Sequence, residues 1–275
     1  MTRVCLAIVA LGIAVWMGIV AHTGEAARPA LQGVNFVGSC RFSHMSMDDP
    51  IVYPGKPGAS HDHSFVGNTT TDAYSTLRSL RRGSTTCRRD GETAAYWMPT
   101  LLLDGQVVAP QAATIYYRRK TIAPVRSFPA GFKMIAGDAH AASAQSMKVT
   151  YWNCGAQSSV APSSSAPTCA DTRGQSLRLH VNFPNCWDGR NLDSADHKSH
   201  MAYADRGVCP ADHPVAMPAI SLIFRYAITG GPGVTLSSGG QYTAHADFFN
   251  AWRQGTLVSL VNNCLNALRH CGRES

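Results

Sequence analysis

The chain carries eleven histidines although only 15% of its residues are charged, and several of those histidines stand beside carboxylates. The groups are His61-Asp62-His63, Asp193 with Asp196-His197 and His200, and His245-Ala246-Asp247. Alternate residues of a strand face the same way, so His61 and His63 can enter one site, as can His245 and Asp247. His197 and His200, three apart, share a face if they lie on a helical turn. Neutral imidazoles with a carboxylate make a zinc, copper or iron site. Carboxylates can instead do acid/base work while histidines bind substrate or tune them. The plainer alternative is that these side chains only order loops by hydrogen bonding. Turn residues such as Asn, Asp and Ser do that more simply.

A second candidate is Cys186-Trp187-Asp188-Gly189, which follows Phe183-Pro184. Pro and Gly mark a turn there, and an aromatic beside a carboxylate on a stapled loop suits a sugar ring. Against this, Trp187 can equally plug the core and Asp188 form the turn. No G-x-S-x-G elbow, phosphate-binding loop, Rossmann glycine fingerprint or H-E-x-x-H helix is present.

The elements that must position these residues read as β-rich. Short β-type runs occur at Ala94–Leu103, Thr114–Arg118, Met147–Trp152, Leu177–Phe183 and Ile220–Ile228. In Leu177–Phe183 the apolar members alternate with Arg178, His180 and Asn182, giving one core face and one polar face. Residues 27–92, rich in Gly, Pro, Ser, Asp and Thr, read as turns and irregular loops. The Ser/Ala/Pro stretch Gly155–Thr168 reads as an exposed loop. Leu257, Leu260, Val261, Cys264, Leu265 and Leu268 recur at helical spacing and predict a C-terminal helix near 257–269 that buries them. The expected fold is mostly β, sandwich-like or jelly-roll-like, with long loops and one terminal helix.

Residues 1–26, a basic start, an apolar run Val4–Ala21 and small residues before the cut, read as a signal peptide removed after Ala26. The expected product is a secreted chain 27–275 forming one domain, with no stable membrane anchor after cleavage. Of nine cysteines, Cys5 leaves with the leader. The even number remaining reads as four disulfides in an oxidising compartment. A bridge from Cys154 to Cys169 would close the loop between them. Cys264 and Cys271 cannot pair inside one straight helix, because seven residues rise about 10.5 Å whereas bonded Cα atoms lie within about 7 Å. Either the helix ends before His270 and Cys271 folds back, or both cysteines find other partners. A net charge of +7, scattered apart from an arginine group at residues 78–89, argues against nucleic acid as partner.

Asp49-Pro50-Ile51-Val52, Ser60-His61-Asp62-His63, Ala95-Tyr96-Trp97-Met98-Pro99, Cys186-Trp187-Asp188-Gly189, Asp196-His197 with His200-Met201, and His245-Ala246-Asp247-Phe248 form a set of motifs. On these residues the chain resembles a secreted domain-of-unknown-function family of fungi and bacteria. The likeness runs over about residues 35–266. Members of that family sometimes carry WSC or cellulose-binding sugar modules, so the resemblance implies a polysaccharide or cell-wall setting. Three readings follow. The first is a glycosidic-bond hydrolase in which two of Asp188, Asp193 and Asp247 act as acid and base or nucleophile. In it His61, His63, Trp97, Trp187, His197, His200 and His245 bind a polysaccharide or cell-wall glycan. The second is a hydrolase or oxidase with a divalent metal on His61, His63, His197, His200, His245 and Asp247. The third is a non-catalytic glycan-binding protein. The sequence leaves the cofactor open, since only the second reading needs a metal.

Overall fold

The computed structural model describes residues 30–272; the expected signal peptide lies outside them. The chain begins with β1 (Asn35–Ser46), β2 (His63–Gly67), helix α1 (Leu77–Arg82), β3 (Ala95–Pro99), β4 (Leu101–Leu103), β5 (Gln106–Val108) and β6 (Ala112–Arg118). It continues with β7 (Lys133–Gly137), β8 (Thr150–Asn153), β9 (Arg178–Asn182), β10 (Cys186–Trp187), β11 (Met201–Ala202) and β12 (Val215–Ala216). β13 (Ala219–Arg225), β14 (Val234–Leu236), β15 (His245–Phe249) and α2 (Gln254–Leu260) follow, and α2 runs on as a π-helical stretch, Val261–Asn266.

The fold is mostly β, as expected. Nine strands form one antiparallel sheet in the order β7-β15-β3-β2-β1-β6-β13-β9-β8, and it curls until β7 approaches β9, nearly closing on itself. Its concave side holds the main core, including Phe36, Tyr117, Phe128, Leu179, Val181, Phe224, Phe248 and Trp252. Inside it, Trp252 Nε1 donates to Tyr117 Oη (3.0 Å), which also contacts the hydroxyl of Tyr96, and Tyr96 donates to Glu92 (2.9 Å). These hydroxyls and the indole are thereby satisfied in a site where an unpaired polar atom would cost about 1–3 kcal/mol.

The outer side of the sheet is treated differently along its width. On β6 burial alternates residue by residue, whereas every residue of β2, β3 and β15 is buried. The reason is a cover: the segment between β1 and β2 and helix α1 lay Ile51 and Leu80 on Phe65, Trp97, Ile135 and Phe249. α1 starts at a reciprocal cap, Thr76 Oγ1 accepting from Ser79 N (3.2 Å) while Ser79 Oγ accepts from Thr76 N (2.9 Å).

Residues 27–92 thus correct the loop expectation, because they hold the longest strand of the sheet as well as β2 and α1. Gly38 breaks the apolar alternation of β1 for a packing reason: a Cβ there would lie 2.6 Å from the Glu92 carboxylate oxygens.

Four disulfides are formed: Cys40–Cys87, Cys154–Cys169, Cys186–Cys209 and Cys264–Cys271. The Cys154–Cys169 closure matches the sequence expectation. At the C-terminus the first of the two alternatives holds. The helical run ends at Asn266, Leu268 takes a φ of 56°, and Cys271 returns to within a Cα distance of 5.8 Å of Cys264. Leu257, Val261, Cys264 and Leu265 are buried and Leu260 packs at the core's edge. Leu268 is 41% exposed, a correction that follows from the earlier helix end. No helix among the described residues is long and apolar enough to cross a membrane.

Candidate functional site

The site lies where the cover meets the outer face of β2, β3, β15 and β7. His61 and His63 arrive at the start of β2, and His245 and Asp247 at the start of β15, two strands away across β3. Register sets the depth: His63 pairs with Pro99, Asp247 with Trp97 and Ile135, and His245 with Gly137. Gly137 has φ +84°, and a Cβ on it would come 2.4 Å from the carbonyl oxygen of Ala244 and 2.8 Å from His245 Cα. Only glycine lets β7 come that close to the strand that carries His245.

The rings of His61 and His63 are 4.3 Å apart, those of His61 and His245 5.0 Å, and those of His63 and His245 5.8 Å. One ligand atom from each histidine lies within 4.8 Å of the others, and the same spacing joins Asp49, His63 and Asp247. Two of the imidazoles have a fixed tautomer. His245 Nδ1 meets the Thr243 carbonyl at 2.8 Å, and His63 Nδ1 meets the Asp48 carbonyl at 3.1 Å. A carbonyl only accepts, so both Nδ1 atoms carry the hydrogen and both Nε2 atoms keep a lone pair. His245 Nε2 faces His61 Nε2 at 3.2 Å, and His63 Nε2 is buried with no partner. Asp247 is 0% exposed and neither carboxylate oxygen has a hydrogen-bond partner.

Burial dominates the electrostatics. It pushes His245 down to about 3 and His63 well below the usual imidazole range, with the neighbouring histidines adding to the fall for both. Burial, then the charge of Asp49, raises Asp247 well above the usual carboxylate range; burial also raises Asp49, whose Oδ1 accepts from Ile51 N and Val52 N. Neutral imidazoles and an unpartnered carboxyl are a costly set to bury in a protein interior. The three histidines form one group that could hold a divalent cation, and His63 is shared with a second group that contains Asp49 and Asp247; the backbone carbonyls behind His63 and His245 orient the rings.

The cluster opens into a pocket of about 420 Å³ lined by Tyr53, His61, Asp138, His140, His197 and Lys198, among others, with Asp49, His245 and Asp247 in its wall. His197 therefore joins His61, His245 and Asp247 at one pocket. Its Nδ1 is held by Asp193 Oδ1 at 2.8 Å, and it sits at φ +58°, a left-handed conformation that a non-glycine residue keeps only when its surroundings enforce it. Asp193 stands behind His197, with Lys133 3.9 Å away.

Other expected site residues lie elsewhere. His200 donates from Nε2 to the Lys133 carbonyl (2.8 Å) and takes Ser194 Oγ on Nδ1 (2.8 Å), so both nitrogens are used, and its ring packs on Phe132. Asp188 accepts from Arg190 N, Asn191 N and Asn191 Nδ2 and forms the turn. Trp187 is buried in the core, its indole donating to the Asn191 carbonyl at 2.6 Å. Trp97 is wholly buried under the cover. In each case burial or turn chemistry uses the group that was expected to meet substrate. Sequence reasoning passed over Asp49, Asp138, His140 and Lys198 as site residues. Asp138-Ala139-His140 offered the same one-residue alternation as His245-Ala246-Asp247.

No curated protein and no solved structure matches the chain. A family model does, over residues 49–252, which span every residue of the histidine and aspartate cluster. The chain belongs to the family described as Domain of unknown function (DUF1996).

Proposed function

We propose that this chain is a secreted, metal-dependent hydrolase of cell-wall or extracellular polysaccharide, with a zinc-type divalent cation held by His61, His63 and His245 and supported by Asp247 and Asp49. The observation that carries the reading is that His61, His63 and His245 bring one ligand atom each to within 4.8 Å of the others, with the Nε2 lone pairs of His63 and His245 fixed by backbone carbonyls and His63 shared with a second group that holds the unpartnered Asp247. Three neutral nitrogen ligands with a nearby carboxylate suit a catalytic divalent site that keeps a position open. Such an ion polarises a bound oxygen and brings a water into its nucleophilic form near neutral pH. The protein's own groups have separate tasks. His197, oriented by Asp193, faces the pocket as a proton acceptor or donor. Lys198, anchored by its Nζ to the Gly137 carbonyl at 2.7 Å, supplies positive charge beside Asp247 and His245. The polar mouth, Tyr53, Asp138 and His140, offers hydrogen bonds and one aromatic face to a sugar.

Equilibrium dialysis of the purified protein against zinc, manganese, copper and calcium, with metal analysis, tests the centre. One equivalent of a divalent ion is expected, lost in His63→Ala and in His245→Ala; absence of stoichiometric binding at micromolar metal removes the reading.

A second reading has its own observation. Asp49 and Asp247 are both buried and both raised above the usual carboxylate range, and their oxygens lie within 4.8 Å of each other. Such a pair can act as acid and nucleophile in glycoside hydrolysis. Release of reducing ends that survives chelator but is lost in Asp49→Asn and Asp247→Asn would favour it over the metal centre.

A further inference from the structure

The bare half of the outer sheet face carries a second concave surface. Strand register puts Arg41 of β1 opposite Ala112 of β6, Ala112 opposite Arg225 of β13, and Arg225 opposite Arg178 of β9. One cross-strand rung thus presents three arginines with a single alanine between them. Arg88 joins from the side, because its backbone N–H donates to the Ser39 carbonyl of β1 (3.0 Å). Together with Ser39, Thr114 and Tyr116 on the neighbouring rungs, these four arginines line a groove of about 340 Å³ that has no Asp or Glu in its lining.

Like charges directly opposite each other in a sheet repel. Among the described residues no carboxylate comes within ion-pair distance of Arg41, Arg88 or Arg225. Arg41, Arg88 and Arg225 are exposed. The alanine at the centre of the rung leaves room above the sheet that a longer side chain would fill. A row of guanidinium forks around a small residue, with hydroxyls beside it, is the complement of oxyanions, which arginine binds in bidentate fashion.

We propose that this groove binds an acidic polysaccharide through successive oxyanions. Four adjacent strands at about 4.8 Å spacing spread the rung over about 14 Å. That is too wide for one carboxylate or phosphate and suited to a polymer that repeats them. The choice of a glycan as the polymer rests on the extracellular polysaccharide reading above; the anion preference rests on the groove alone. The groove and the histidine centre share β1 as a boundary. Arg41 faces outward before the register irregularity between Phe42 and His44, and His44 stacks on Phe65 under the cover after it. Polymer held on the bare half would therefore lie on the same outer side of the sheet as the pocket.

The test uses the full secreted chain with its disulfides intact and affinity electrophoresis in gels containing polygalacturonate, poly(glycerol phosphate) or a neutral β-glucan. Retardation by the carboxylated polymer, the phosphate polymer or both, and none by the glucan, is expected. It should weaken at least tenfold in Arg41→Ala/Arg225→Ala with the melting temperature not lowered, and it should fall steeply as salt is raised. Which polymer retards names the oxyanion. His245→Ala should lose metal yet keep the retardation, so failure of the metal centre and failure of the groove are read separately. Equal mobility in all three gels, unchanged retardation of the double variant, or displacement of polygalacturonate by duplex DNA at equal charge would each overturn the proposal.

Discussion

The covered and the bare halves of one sheet face make different use of the same strand geometry. On the bare half, β6 alternates buried and half-buried residues, and its outward positions present charge and hydroxyls to water. On the covered half, β2, β3 and β15 are buried on both faces, and the few polar residues placed there are cut off from solvent. A carboxylate in the open would be solvated and ordinary. Asp247 under the cover has no partner, and burial raises it well above the usual carboxylate range. The cover is therefore what turns a sheet surface into a chemical site.

The largest effect should come from the packing that the cover supplies. Phe65→Ala, on the outer side of the covered half, should cost about 3–5 kcal/mol in urea unfolding. Ser39→Ala, on the outer side of the bare half, should stay within about 0.5 kcal/mol. Similar costs for the two would mean that the halves do not differ as described.

Gly137→Ala sharpens the comparison at the seam. The new Cβ meets the backbone at Ala244 and His245 in a left-handed conformation, so a loss of about 1–3 kcal/mol is expected, together with weaker metal uptake because His245 must shift. Full stability and unchanged uptake would show that β7 and β15 have room to spare.

The bare half has its own acid sensitivity. His180 packs on Tyr151 with ring centroids 4.2 Å apart, and burial, aided by the charges of Arg178 and Arg118, lowers it to about 3. The folded state thus binds this proton less readily than the unfolded chain, whose histidine titrates near 6.5. The contribution is intact above about pH 6.5 and is lost as pH falls toward 3, at no more than about 1.4 kcal/mol per pH unit. His180→Phe, which keeps the stack, should flatten that limb of the stability-against-pH curve; an unchanged slope would mean that His180 is not its source.

The smallest expected change is a gain. Arg225→Gln relieves repulsion on the arginine rung and should add about 0.2–1 kcal/mol at low salt, fading as salt screens it. A loss at every salt concentration would show that Arg225 supports the sheet instead of straining it.

Legibility in the sequence followed the same division. β6, β9 and β13 announce themselves by apolar runs or alternation, and the loop between Cys154 and Cys169 by its composition. β1 did not, because Gly38 and Cys40 occupy inward positions where a large apolar residue is expected. His61, His63, His245 and Asp247 were legible as a group because imidazole next to carboxylate is rare in a chain with so little charge. Their depth was not, since it depends on which strands pair and on a cover drawn from turn-rich sequence. Asp188 and His200 show the opposite case: their types suited chemistry, but Asp188 is taken up by its own turn, and His200 by the Ser194 hydroxyl and the sequence-distant Lys133 carbonyl.

The Cys40–Cys87 bridge spans 47 positions, and the ring it closes contains Asp49, His61, His63 and helix α1, that is, the whole cover and two of the three clustered histidines. Its outermost part, around Tyr53–Ala59, is an exposed turn of the kind proteases cut first. One cut anywhere between 41 and 86 opens the ring without releasing either end, because both remain joined through sulfur. Digestion should therefore leave a nicked chain of unchanged mass apart from one added water. The two pieces would separate only after both denaturant and reductant are applied.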